Sequence, residues 1–267
     1  MSGMRYGSAP SRRARLLELV RSQGFCATSE LVQTLGVSDM TVRRDVQRLS
    51  EEGKVRIVHG GVSVLPPEAL SGSGGYLERE GREFLAKQRA GQAAAELVAP
   101  DDHIALDAGT TVLEVARALP AGQPNTVVSH SATVLGELMH REEITLVGSG
   151  GVLHHETMSF AGATTLTTLA ELRVGRLFLA ASGVNEAGVF CANDFDAVTK
   201  RALIDIADEV VLVIDSSKFH TRALVRICPL DVVDTVVVDD AITAPDLAML
   251  ERHGVRPHRV PVGEQAR

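Results

Sequence analysis

No apolar run in this 267-residue chain approaches the ~20 residues that a membrane-spanning helix needs, and its first ten residues lack the apolar centre of a secretion signal. The expectation is a cytoplasmic protein with no membrane partner. Cysteine is scarce. Cys26, Cys191 and Cys228 stand far apart with no CxxC pair, which argues against a zinc site or a disulfide framework and leaves buried thiols. Lysine is scarce too: of 27 Lys+Arg only Lys54, Lys87, Lys200 and Lys218 are lysines. Arginine is thus the default cation, and a persisting lysine marks a place where a compact ammonium could be required. Exposed lysines left in place by drift are the plainer alternative. Net positive charge is also missing, since the chain carries −7 overall, which at first sight argues against a nucleic-acid partner.

The distribution of charge reverses that argument. Residues 1–65 hold ten Lys+Arg against six Asp+Glu, a net of +4, whereas the remainder holds 17 against 28, a net of −11. A chain so divided suits contact with DNA at one end while its bulk stays off the phosphates. With 45% hydrophobic residues it is long enough for one small and one medium domain.

The basic end is organised around VSDMTVRRDVQRL, residues 37–49. Val42, Val46 and Leu49 recur at spacings of four and three and form one apolar stripe. Met40, Thr41, Arg43, Arg44, Gln47 and Arg48 then share the outward face, which is cationic and rich in donors. Ser38 stands at the N-cap position with Thr41 three residues on. Helix amides and guanidinium groups suit phosphates and guanine edges. A solvated arginine-rich surface helix is the plainer reading, and the flanks decide against it. Residues 12–22 offer a first helix, residues 28–35 a second, and Gly36 the tight turn of a helix-turn-helix. After Gly53, the alternating run Lys54-Val-Arg56-Ile-Val-His59 ends in two glycines, as the wing of a winged helix does.

The run VSDMTVRRDVQRLSEEGKVRIVHGG resembles the amino-terminal signature of DeoR-type bacterial transcriptional regulators. The valine-serine turn, Arg43-Arg44-Asp45, Gly53 and His59-Gly60-Gly61 occur in that family's order. The resemblance implies a DNA-binding regulator, a repressor of a sugar or carbohydrate catabolism operon. Ser38, Met40, Thr41, Arg43, Arg44, Gln47, Arg48, Lys54, Arg56 and His59 are the expected DNA contacts.

Residues 1–10 have no periodicity and read as a disordered tail, residues 11–62 as the winged helix-turn-helix, and residues 63–75, with Pro66-Pro67 and a Gly/Ser cluster, as a linker. Residues 76–267 form the second domain. It opens with a helical pattern over 76–98, broken near Gly81, in which Arg79 and Lys87 match a charged spacing of the family. From Ile104 on, short apolar runs at 104–107, 126–129, 144–147, 176–181, 210–215 and 235–240 alternate with helical windows. This pattern predicts a parallel, doubly wound α/β sheet. Ligands of such sheets bind beyond the carboxyl ends of the strands. There the chain places Asp107-Ala-Gly109-Thr110-Thr111, Ser129-His130-Ser131, Gly148-Ser-Gly-Gly151, Ser182-Gly183 and Asp215-Ser-Ser-Lys218. A glycine turn opening a helix, with adjacent hydroxyls, favours phosphate. An ordinary capped strand-to-helix turn is the competing reading.

The DeoR resemblance continues through these positions and implies a sensor domain similar to ribose-5-phosphate isomerase. In it the Gly-Thr-Thr loop holds phosphate and the lysines hold the ligand. Expected effector contacts are Asp107, Gly109, Thr110, Thr111, Ser129, His130, Ser131, Gly151, Lys200, Asp215 and Lys218. Three departures stand out: His130 where the family commonly has asparagine, Ser149-Gly150-Gly151 for a tighter Gly-Gly, and the apolar Ala180-Ala181-Ser182. His140, His154 and His155 lack metal-ligand spacing. No cofactor is expected, and the expected partners are double-stranded operator DNA, a phosphorylated sugar or related metabolite, and further copies of the chain. A sugar-phosphate isomerase with an added nucleic-acid-binding domain is the alternative. Asp107, Asp194 or Asp215 would then be its base.

Overall fold

The computed structural model describes residues 12–13, 15–17, 19–20, 25–51, 54–58, 61–64, 76, 79 and 83–262. The tail at 1–10, the residues 65–75 of the expected linker, His59 and Gly81 therefore lie outside the described residues. The chain divides into two compact units, residues 1–69 and 70–267.

In the first unit, helical residues between Arg12 and Val20 precede β1 (Phe25–Ala27), α1 (Thr28–Leu35), α2 (Asp39–Glu51), β2 (Val55–Val58) and β3 (Gly61–Val64). Leu31 and Leu35, one turn apart on α1, are buried with Val42, Val46 and Leu49 of α2 and with Leu16 and Val20. The stripe read from spacing is therefore the inward face. Asp45 shares that face and is buried, which its polarity alone would not suggest. It accepts from Arg12 Nε at 2.5 Å, with Arg13 Nη1 3.8 Å away. A buried carboxylate is tolerated because a guanidinium compensates it. The strands form an antiparallel sheet in the order β1-β3-β2. β1 was not anticipated; its three residues, FCA, are too few to show a period. β3 runs through Val64, so the segment from residue 63 opens in strand.

The second unit is a seven-stranded sheet in the order β15-β14-β12-β9-β4-β5-β6, with every neighbouring pair parallel. Its strands are β4 (His103–Leu106), β5 (Asn125–Ser129), β6 (Ile144–Gly148), β9 (Val174–Leu179), β12 (Ala207–Val213), β14 (Thr235–Asp239) and β15 (Arg256–Val260). Successive residues enter opposite cores. Leu177 and Leu179 face one cluster with Leu169, Leu203 and Leu250, while Phe178 and Ala180 face the other with Ala94, Val115 and Leu138. Both faces being covered is why these strands read as unbroken apolar runs. Helices α3 (Phe84–Ala95), α4 (Thr110–Ala118) and α5 (Ala132–Leu138) cover one face; α6 (Ala163–Ala170), α7 (Asp194–Asp205) and α8 (Ala244–Arg252) cover the other.

Three strand groups escaped the sequence pattern. β15 is an edge strand, RPHRV, whose side chains are mostly outside the core. The hairpin β7 (Val152–His154) with β8 (Ser159–Ala161), and the small sheet of β10 (Gly183–Asn185), β11 (Gly188–Cys191) and β13 (Val225–Cys228), lie among glycines and polar residues. Their pairing is antiparallel and short, so no continuous apolar run announces them.

From β4 the chain winds through β5 and β6 to one edge, then returns to β9 and winds through β12, β14 and β15 to the other. The switch point lies between β4 and β9, the place at which open α/β sheets commonly bind ligands.

Candidate functional site

On α2 the outward face carries Arg43, Arg44, Gln47 and Arg48, all exposed, and Met40 is 68% exposed. Ser38 begins the helix by two routes: its carbonyl accepts from the Val42 N–H at 3.1 Å, and its Oγ accepts from the Thr41 N–H at 3.3 Å. The Ser38 and Thr41 hydroxyls lie 2.9 Å apart, so both sit over the first turn beside the free amides. Arg43 Nε donates to Asp39 Oδ2 at 2.6 Å, one turn back. Both ends of that pair are solvated, so the pair is worth little and the guanidinium is readily released. Lys54 is exposed, Arg56 lies in β2, and the wing tip at His59 is outside the described residues.

In the sheet unit the switch point is occupied by charge. Asp107, directly after β4, is fully buried. Its Oδ2 accepts from the Ala180 N–H at 2.8 Å and from Lys200 Nζ, and its Oδ1 lies 3.0 Å from His130 Nε2. Lys200 reaches it from α7, itself 2% exposed, and also donates to the Ala108 carbonyl at 3.3 Å. Burial alone would push the Asp107 carboxyl up, but the Lys200 charge and the contacts with His130 outweigh it and hold the group below the ordinary carboxylate range. Burial would likewise lower Lys200, and Asp107 together with Asp196 overrides that and keeps it raised. His130 is fixed on its other side, where Nδ1 lies 3.1 Å from the Phe160 carbonyl, and the Ala108 nitrogen lies 3.1 Å from Nε2.

A second group of charges surrounds the end of β12. Asp215 Oδ1 accepts from the Ser217 N–H at 3.2 Å and from the Ser217 hydroxyl, capping the short 3-10 turn Ser216–His220. Its Oδ2 is buried without a hydrogen bond among the described residues, 3.5 Å from Lys218 Nζ. Lys87 of α3 joins this field. It is buried, its Nζ donates to the Arg79 carbonyl, and burial pushes its ammonium down to about 8, with Lys218 and Arg79 adding to the depression while Asp215 and Glu83 oppose it.

Several expected contacts have structural work of their own. Ser129 Oγ donates to the Leu106 carbonyl at 2.7 Å and accepts from the Ser131 N–H at 3.0 Å, tying β5 to β4. Ser131 Oγ accepts from the Val134 N–H at 3.3 Å and caps α5. Gly109 is required by space: a Cβ there would sit 2.4 Å from Ala180 Cβ across the switch point. Gly151 adopts φ +115°, and a Cβ would meet Thr165 Oγ1 at 2.2 Å, so its neighbours are α6 and β8 rather than Asp107. Thr110 and Thr111 are buried in the first turn of α4, directly after Gly109. The structure thus brings Asp107, His130 and Lys200 into contact, places Asp215 and Lys218 together, and leaves Gly151 aside.

Lys87 and Asp196 are not among the site residues expected from the sequence. Lys87 carried a signal, being one of four lysines. Asp196 lay one helical turn before Lys200 and could have been found by that spacing. All three cysteines are buried free thiols, and burial raises Cys191 to about 12. Among the described residues no His, Cys, Asp or Glu group is arranged to hold a metal ion, and no helix is long and apolar enough to cross a membrane.

The comparisons bear on both units. Residues 12–68 match the DeoR-like helix-turn-helix domain, and residues 83–240 match the DeoR C-terminal sensor domain. The glycerol-3-phosphate regulon repressor of Escherichia coli K12 is 30% identical over 246 residues, 92% of this chain and 96% of that protein. A helix-turn-helix transcriptional regulator of Haemophilus influenzae is 32% identical, spanning 86% of this chain and 90% of its own length. Ribose 5-phosphate isomerase A of Methanocaldococcus jannaschii is similar over 51% of this chain and 54% of that one, at 23% identity and a TM-score of 0.37. With its helix-turn-helix at one end and its sensor domain at the other, the chain belongs to the DeoR family of DNA-binding transcriptional regulators.

Proposed function

We propose that the chain is a repressor of a sugar-catabolism operon that reads operator DNA with α2 and is controlled by a phosphorylated, sugar-like metabolite bound at the carboxyl end of the sheet. The observation that carries the sensing half is the buried Lys87, which feels the charges of Lys218 and Asp215; the turn Gly109-Thr110-Thr111 that opens α4 supplies helix amides to the same reading. Cations and free helix amides suit a phosphate dianion. Lys200 serves differently: committed to Asp107, it holds the end of β4 in place. The identity of a relative as a glycerol-3-phosphate regulon repressor supports a small phosphorylated polyol as the effector class.

A catalytic base at Asp107 does not fit this arrangement. Asp107 is held ionised by Lys200 and fully buried, so it is a poor proton acceptor for a sugar carbon. A linked winged helix has no role in isomerisation either. One winged helix makes too few contacts for typical specific affinity, so the subunits act as at least a dimer that presents two reading helices to repeated half-sites.

A mobility-shift titration with the DNA upstream of the chain's own gene tests this reading. The expected result is a specific complex, competed by the same DNA but not by unrelated DNA, and weakened or strengthened by a sugar monophosphate. Turnover of a pentose phosphate at ordinary enzyme rates, without a specific DNA complex, would overturn it.

A further inference from the structure

Asp196 lies in the first turn of α7, on the same face as Lys200 and one helical turn before it. It is 8% exposed, and its Oδ1 is buried with no hydrogen-bond donor among the described residues. Lys200 does not supply one. Its Nζ is 3.8 Å from Asp196 Oδ1, beyond hydrogen-bond range, because it is drawn onto Asp107 Oδ2 and the Ala108 carbonyl. Cys191 gives no help either, since its thiol donates to the Asn193 carbonyl at 3.3 Å.

The charge count sharpens the anomaly. Lys200 and Asp107 neutralise each other, so Asp196 adds a carboxylate to a pair already balanced. Burial, with the Asp107 charge adding to it and Lys200 opposing, pushes its carboxyl upward. A buried acceptor left unmade is costly, and proteins keep such groups where a ligand completes them. A phosphate cannot be that ligand portion, because its charge has the same sign. A hydroxyl can: it is neutral and donates one hydrogen bond into a carboxylate.

We infer that Asp196 is the hydroxyl-reading residue of the effector site, so that the effector is a polyhydroxylated monophosphate whose phosphate lies on the Lys87–Lys218 side and whose hydroxyl donates to Asp196 Oδ1. This rests on the sensor reading proposed above and deepens it. The site then has two poles, cationic for the phosphate and anionic for the sugar, and selectivity for a polyol over inorganic phosphate resides in Asp196.

The test is binding to the full chain, by calorimetry, of inorganic phosphate, glycerol 3-phosphate and a panel of pentose and hexose monophosphates. Wild type and Asp196→Asn are compared, and the unliganded melting temperature of each reports folding. The variant removes a buried carboxylate that accepts no hydrogen bond at Oδ1, at constant shape, so it should melt no lower than wild type. Inorganic phosphate should bind both chains within twofold. The tightest polyol monophosphate should bind wild type at least fivefold better than inorganic phosphate and lose more than fivefold in the variant. A smaller loss, or a wild type that binds every polyol monophosphate no better than inorganic phosphate, overturns the assignment of Asp196 and leaves the phosphate site standing. Failure of every monophosphate, inorganic phosphate included, to bind wild type overturns the phosphate reading and this inference with it.

Discussion

Lys200 and Asp107 form a fully buried ion pair across the switch point of the sheet, joining α7 to the end of β4 through residues 93 positions apart. Removing one partner of such a pair strands the other charge in the interior. Lys200→Met should therefore destabilise the sensor unit by about 3–5 kcal/mol, and the double change with Asp107→Asn by clearly less. Chemical denaturation of the three chains checks this. Because the Asp107 carboxyl is held below the ordinary aspartate value of 3.8, the stability it contributes is present above that value and lost as pH falls through the lower folded value. The cost of Lys200→Met should shrink over the same acid range.

Lys87 sets a second pH dependence at the opposite end of the scale. Its ammonium, lowered from 10.5 to about 8, is the form that attracts phosphate. In the unliganded chain this burial costs stability below pH 8, and the cost disappears as pH rises from 8 towards 10.5. A bound dianion favours the protonated lysine, so ligand affinity should fall as pH rises from 7 to 9.5, a range in which a phosphate monoester is already doubly ionised. Calorimetry with the tightest sugar monophosphate should show that fall in wild type, and weaker, nearly flat binding in Lys87→Met.

Much of this was legible in the sequence because the relevant forces are periodic. The stripe Val42, Val46, Leu49 and the apolar strand runs report burial directly, and a sheet covered on both faces admits little else. What was not legible depends on tertiary approach. Nothing in the local pattern says that Lys200 turns inward to Asp107 instead of outward to a ligand, or that Gly109 is a glycine because of Ala180. Asp45 is a similar case. Its place among arginines suggests a surface residue, yet its carboxylate is buried against Arg12.

Asp45 and Arg44 are neighbours with opposite tasks on α2. Asp45→Ala removes a charged hydrogen bond from the helix-turn-helix core and should cost about 1.5–3 kcal/mol of that unit's stability. Arg44→Ala should leave stability unchanged and, if the guanidinium is bidentate to guanine, cost about 1–3 kcal/mol of operator affinity. Arg43→Ala tests whether its partner Asp39 yields to DNA. Thermal melts and anisotropy titrations of the variants separate the two effects. Wild-type operator affinity in both arginine variants would remove α2 as the reading helix.

The central claim is that one site in the acidic unit controls DNA binding by the basic one. An effector does this only if it binds one DNA-binding state better than another, and a coupling of about 1–3 kcal/mol corresponds to a 5- to 150-fold change in affinity. The most direct measurement is operator affinity by fluorescence anisotropy, with and without a saturating polyol monophosphate, for wild type and Lys218→Ala. Wild type should shift by at least fivefold, and Lys218→Ala should bind the operator as wild type does without effector and shift by less than twofold with it. An unchanged wild-type affinity at saturation, or a Lys218→Ala chain that shifts as far as wild type at the same effector concentration, would contradict the account.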